Sequence, residues 1–154
     1  MGQISNKLHE LGIELPPVAK PVAAYIPAQR TDNIVRTSGQ LPLTAGQLPG
    51  TGKVGGEISP DDAYQYARTS ALNALAAAAS VAGGIDNIER ILHATVFVSS
   101  TPDFTGQPQV ANGASELFSL IFGDKGLHTR SAVGVAVLPL DAPVEVEIEV
   151  LVRD

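Results

Sequence analysis

The stretch His128-Thr129-Arg130-Ser131-Ala132-Val133-Gly134-Val135 carries the clearest chemistry in the chain. It sets a guanidinium at the entrance to an apolar strand, where a planar fork of N–H donors can grip a carboxylate through two parallel hydrogen bonds. An Arg at a strand end more often snorkels to solvent, so the local sequence leaves both readings open. In an extended run His128 points to the same side as Arg130 and is a candidate to line the same pocket. Further on, Glu145, Glu147 and Glu149 alternate with apolar residues, which sets three carboxylates in a row on one face of a strand. Such a row is ordinarily a solvated face. A Glu buried there has its pKa raised by desolvation, or lowered if Arg130 is close, and either state can serve proton transfer.

Other chemistry finds little footing. The three His, at 9, 93 and 128, have no spacing that pairs them as metal ligands, and the chain has no Cys, so no metal is expected. Ser38 stands beside no base in sequence, which leaves a nucleophilic triad without support. His93, inside an apolar strand, reads as a hydrogen-bonded and partly buried histidine. The lack of Cys fits a reducing compartment, and Lys7, His9, Glu10 and Glu14 break any secretory signal, so a cytoplasmic location is expected. A formal charge of −6 is the wrong sign for a phosphate-binding surface, which disfavours nucleic acid as a partner.

The elements that must position these residues follow from pattern. With 154 residues, 44% of them apolar, the chain reads as one domain over 1–154, in which 1–20 are an N-terminal extension and 25–152 the body. Aromatics make up 5% with no Trp, so small aliphatic side chains must fill the core and any site is small. Ser5 to Leu11 suggests a short amphipathic helix, an appendage stopped at Gly12. Thr31-Asp32-Asn33 reads as a turn before a strand that ends at Gly39, and Thr44 to Gly56 as loop or short hairpin. Ser59-Pro60-Asp61-Asp62 starts a long helix running to Gly83-Gly84. A strand over Ile91 to Val98 precedes a second helix from Gln109 to Gly123. A strand over Ala132 to Leu138, the turn Pro139 to Pro143 and a strictly alternating strand over Val144 to Val152 complete the pattern. Together they predict an α+β fold, a sheet with two helices on one face.

Taken in order, Thr37-Ser38-Gly39-Gln40-Leu41-Pro42, Val96-Phe97-Val98, Arg130-Ser131-Ala132-Val133, Leu138-Pro139 and Val144-Glu145-Val146-Glu147 resemble the Rid (reactive intermediate/imine deaminase) family, also labelled endoribonuclease L-PSP. The resemblance covers roughly Tyr25 to Val152. It implies a chorismate-mutase-like domain with a mixed β-sheet and two main helices on one face. It also implies a homotrimer with sites at the subunit interfaces, and cofactor-free hydrolysis of reactive 2-imino acids to 2-oxo acids and ammonia. Arg130 matches the residue that clamps the substrate carboxylate, and Glu145 the one that positions or activates water. Ser38, Tyr25 and Asn112 match substrate-binding positions, and His128 joins them as a neighbour of the clamp. Ala23-Ala24 replaces the usual Gly-Pro before the Tyr, and His128-Thr129 replaces Pro-Ala before the Arg. With the extension, these departures resemble a longer branch of the family that keeps the clamp for a different small molecule. A non-catalytic module that binds a small carboxylate metabolite is the alternative, and an endoribonuclease the second alternative.

Overall fold

Period-two alternation in Val144–Val152 (β5) sends Val144, Val146, Ile148, Val150 and Val152 into the core, while Glu145, Glu147, Glu149 and Leu151 lie half-buried on the other face. The computed structural model describes residues 2–21 and 24–154, so Ala23 of the Ala23-Ala24 pair lies outside the described residues. β5 is the middle of a five-stranded sheet ordered β1-β2-β5-β3-β4, with β1 at Ala28–Thr31, β2 at Ile34–Thr37, β3 at Ile88–Ser99 and β4 at Thr129–Val135. β5 runs antiparallel to β2 and β3, whereas β3 and β4 are parallel, so the sheet is mixed. Two crossovers join strands that run the same way: the helix over Pro60–Ala82 (α2) carries the chain from β2 past β5 to β3, and α3 (Gln107–Phe122) carries it from β3 to β4.

Helix α2 (Pro60–Ala82) begins where Ser59 Oγ accepts from the Asp62 N–H at 3.1 Å, with Pro60 in its first turn. It ends at Gly83 in the left-handed conformation, φ 85°. Ala63, Ala67, Ala71, Ala74 and Ala78 form a buried stripe of small side chains that lets α2 lie close on the sheet. At Gly113 the backbones of α3 and α2 meet so closely that a Cβ would overlap the Tyr64 carbonyl. Both helices share one sheet face and one core with it, and the architecture is α+β as the sequence pattern predicts. No helix among the described residues is long and apolar enough to cross a membrane.

Three details differ from the sequence reading. Helix α1 (Gln3–Glu10) is not an appendage: Leu8 is buried in the core, and Ile4 and Leu11 pack against it. Its free N-terminal donors are capped from 81 and more residues away, since Asp86 accepts from Gly2 N–H, Ser5 N–H and Ser5 Oγ at 3.1, 2.8 and 2.7 Å. Local sequence has no view of such a cap. Burial alone would push the Asp86 carboxyl up, but the donors of Ser5, Gly2 and Ile4 outweigh it and hold the group below 3.8. Second, the segment before the turn at Asp32 is itself a strand, β1, paired as a hairpin to β2. Third, β4 starts at Thr129, so Arg130 stands inside the strand, in register with Ala94 of β3, and not at its mouth.

Candidate functional site

Register fixes where Arg130 points. Its partner Ala94 is buried beneath the helices, so Arg130 leaves the sheet on the helix side, at the edge strand, and meets α3. Its Nη1 donates to Asn112 Oδ1 at 2.8 Å and to Ser115 Oγ at 3.1 Å. Among the described residues no carboxylate reaches ion-pair distance of this half-buried guanidinium, whose Nε and Nη2 carry no other hydrogen bond. A held cation with one nitrogen tethered and the N–H groups of the other two free suits a ligand anion. Ser115 Oγ also lies 2.9 Å from His128 Nε2, and His128 Nδ1 lies 2.6 Å from the Gly126 carbonyl, so both ring nitrogens are engaged within the chain. Burial pushes the imidazole below 6.5. Arg130 and His93 nearby act the same way, and the Gly126 hydrogen bond opposes them. The ring stands edge-on to Phe118, with centroids 5.4 Å apart.

Glu145 stands on the other side of the sheet. It pairs with Phe97, whose side chain lies on the face away from the helices, as do those of Glu147 and Glu149. Burial, and then the neighbouring Glu147, push its carboxyl above 4.5. Next to it the β2 chain bulges. Thr37 Oγ1 accepts from the Ile148 N–H at 3.0 Å, the ladder resumes at Gln40 with Val146, and Ser38-Gly39 loop outward between them. Ser38 is held by its Oγ–H donating to the Ile26 carbonyl at 2.6 Å. Asn73, 4% exposed on α2, pins the next loop by donating to the Leu41 and Leu43 carbonyls at 3.0 and 2.9 Å. Tyr25, exposed, shares a shallow cleft with Lys20, Pro27, Gly39, Leu41 and Leu140.

Gly39 is glycine because Glu145 lies on it: a Cβ there would come within 2.6 Å of Glu145 Cδ and 2.8 Å of Oε2. The obstructing atoms end a flexible side chain, so Gly39→Ala is expected to fold, with a melting temperature within about 2 °C of wild type. The carboxylate must swing away, and catalysis that uses Glu145 should fall on the order of tenfold. Steady-state kinetics beside a thermal melt check this; full activity in the variant contradicts a role for Glu145 at this cleft.

The residues expected from sequence thus form two groups. Arg130, Asn112 and His128 gather at the β4–α3 corner, and Tyr25, Ser38 and Glu145 at the β2–β5 bulge. The groups lie on opposite faces of the sheet, so Arg130 is not the neighbour that would lower the Glu145 pKa within one chain. Sequence reasoning missed Ser115, one helical turn from Asn112, and Asn73; a polar residue three positions from a candidate on the same helix face was the available signal. Among the described residues no three His, Asp or Glu side chains come close enough to hold a metal ion.

Known proteins share this fold. The chain is 38% identical over 147 residues to protein TCP17 of Trypanosoma cruzi, an alignment spanning 95% of this chain and 92% of that protein. The crystal structure of Atu1372 of Agrobacterium tumefaciens, described as of unknown function, is also 38% identical. It covers 97% of this chain and 92% of its own, with a TM-score of 0.88. Escherichia coli TdcF, solved with bound serine, is 27% identical with a TM-score of 0.65, covering 91% and 94%. Residues 5–149 match the family model described as "YjgF/chorismate mutase-like, putative endoribonuclease". The chain therefore belongs to the YjgF/chorismate-mutase-like family, the one its motifs resemble under the Rid and endoribonuclease L-PSP labels.

Proposed function

We propose that this protein hydrolyses reactive 2-imino acids to 2-oxo acids and ammonia, at sites formed between copies of the chain in a cyclic homotrimer. The observation that carries the reading is Arg130: a half-buried guanidinium, steadied by Asn112 and Ser115, with no carboxylate among the described residues at ion-pair distance. A small carboxylate is the ligand such a group lacks. The bound serine of TdcF, a relative, is a small α-amino acid that carries a carboxylate.

The second half of the chemistry falls to Glu145. Its pKa, raised by burial and by Glu147, moves toward the range where one group both accepts and returns a proton. Water gives a proton to the carboxylate as its oxygen attacks C2 of the imine, and a C2–O bond forms as the C=N π bond passes to nitrogen. The proton then returns to nitrogen to give the carbinolamine, the remaining proton of the C2 hydroxyl passes to nitrogen through the same carboxylate, and as the C2–O π bond forms the C2–N bond breaks, so that ammonia leaves with the 2-oxo acid behind. Imines hydrolyse readily, so orientation and one proton relay meet the demand. Activity should require the carboxylate, and so decline as pH falls through the raised Glu145 pKa.

Since Arg130 and Glu145 occupy opposite faces, one chain does not hold both ends of one substrate. A neighbouring copy that sets its bulge and Glu145 against the β4 edge completes the site, and cyclic repetition closes the ring. Exposed Leu127, Val133 and Val137 beside that edge are apolar surface that such a neighbour would cover. The net charge of −6 and the row of Glu residues on the open face speak against a phosphate-rich RNA substrate.

The test is ammonia release from freshly generated 2-imino acids, with and without the protein. Acceleration over buffer supports the reading, and none for any imino acid tried overturns it.

A further inference from the structure

The Arg130 clamp has a support two residues before it in the chain, at His128. Gly126 offers a carbonyl, which only accepts, so the proton on His128 sits at Nδ1 and points to it over 2.6 Å. In a neutral ring that leaves Nε2 as an acceptor. The Ser115 hydroxyl, 2.9 Å away, must then donate to it. With its hydrogen committed, Ser115 Oγ turns its lone pairs to Arg130 Nη1 at 3.1 Å. Each link sets the direction of the next, from a backbone carbonyl to a guanidinium.

We infer that Ser115 and His128 are positioning residues for Arg130, a hydrogen-bond relay that fixes the rotation of the guanidinium so that its free edge faces the substrate carboxylate. Asn112 Oδ1 alone, at 2.8 Å on the same Nη1, gives one point of attachment and leaves the fork free to swing; the second acceptor gives two. The turn that carries the relay is tight, since a Cβ on Gly126 would overlap the Phe118 carbonyl. The Phe118 ring packs edge-on against His128 and holds the imidazole plane. His128 therefore acts from behind the clamp and does not itself touch substrate.

The relay makes the clamp sensitive to acid. Charging His128 turns Nε2 into a donor, so Ser115 Oγ faces donors from two cations and its own hydrogen loses its acceptor. The titratable and charged groups facing His128 are Arg130 on its own segment and His93 on β3, and α3 presents the neutral Ser115, Asn112 and Phe118 to this corner. Burial, and then the Arg130 charge, oppose protonation, so the neutral relay persists at pH 7 and fails as pH falls through a value below 6.5.

This inference rests on Arg130 as the carboxylate clamp, and its test separates the two. Wild type, Ser115→Ala, Ser115→Thr, His128→Phe and Arg130→Ala are compared in imino acid hydrolysis from pH 5 to 8. Ser115→Ala and His128→Phe should raise KM about tenfold with a smaller fall in kcat, Ser115→Thr should restore wild-type KM, and the acid-side rise in KM should vanish in His128→Phe. Unchanged KM in Ser115→Ala and His128→Phe, with Arg130→Ala inactive, overturns the relay and leaves the clamp standing. If wild type shows no turnover, 15N resonances of the His128 imidazole still decide the relay. A neutral Nδ1–H tautomer in wild type at pH 7, lost to a mixture in Ser115→Ala, supports it; a charged ring or the Nε2–H tautomer in wild type overturns it.

Discussion

Arg130→Ala is expected to lower kcat/KM for 2-imino acids on the order of 10²- to 10³-fold while the protein keeps its fold. Removing one partner of a desolvated, charge-assisted carboxylate pair costs about 2–5 kcal/mol, and each 1.4 kcal/mol is a factor of ten. The loss should fall on both KM and kcat, because the clamp also aims C2 at the attacking water. Arg130→Lys should recover only part of it, since an ammonium keeps the charge but cannot make the planar two-point grip or reach Asn112 and Ser115 together. Folding should change little, because Arg130 is half-buried at an edge strand and, among the described residues, pairs with no acid. Ammonia-release kinetics beside circular dichroism measure both; undiminished turnover in Arg130→Ala would remove the basis for the proposed activity.

Gly113→Ala is the substitution expected to cost the fold most. The new methyl would overlap the Tyr64 carbonyl of α2, a backbone atom in a packed helix that has no flexible end to move, and it would also meet Ala67 Cβ at 3.3 Å. The helices must part, at about 3 kcal/mol for forced overpacking. For a domain of this size that lowers the melting temperature by roughly 6–12 °C. Asn112 and Ser115 flank Gly113 on α3, so the Arg130 tether should loosen with it, and residual activity should show a raised KM. A melt within about 2 °C of wild type would mean that α2 and α3 are not in such close contact.

Much of this was legible in the sequence. The alternation of Val144 to Val152 gave that strand and its two faces, because a period of two admits no other element. The Ser59-Pro60 start and the Gly83-Gly84 stop framed the long helix, because capping is local chemistry. Where partners are distant in sequence, pattern failed. The Asp86 cap on α1 depends on chain far away, whereas the β1 edge strand is a local hairpin whose side chains from Gln29 to Thr31 are all exposed and so give no alternation to read. Arg130, Asn112 and His128 were each legible as candidates, but not the hydroxyl that joins them. Ser115 reads as an ordinary polar residue until α3 is laid against β4. Nor does spacing show that Arg130 and Glu145 face apart, since that follows from β3 pairing Ala94 with one and Phe97 with the other.

The most direct test of a site shared between copies is to mix two disabled proteins. Arg130→Ala and Glu145→Gln, each inactive alone, are unfolded together, refolded at equal concentration and assayed for ammonia release, with mixed trimers verified by native mass spectrometry. A site that takes Arg130 from one copy and Glu145 from its neighbour is intact wherever a Glu145→Gln chain presents its Arg130 to the Glu145 of an Arg130→Ala chain. Random assembly should therefore restore about one quarter of wild-type activity. Mixed trimers as inactive as either parent would contradict the composite site and the mechanism built on it.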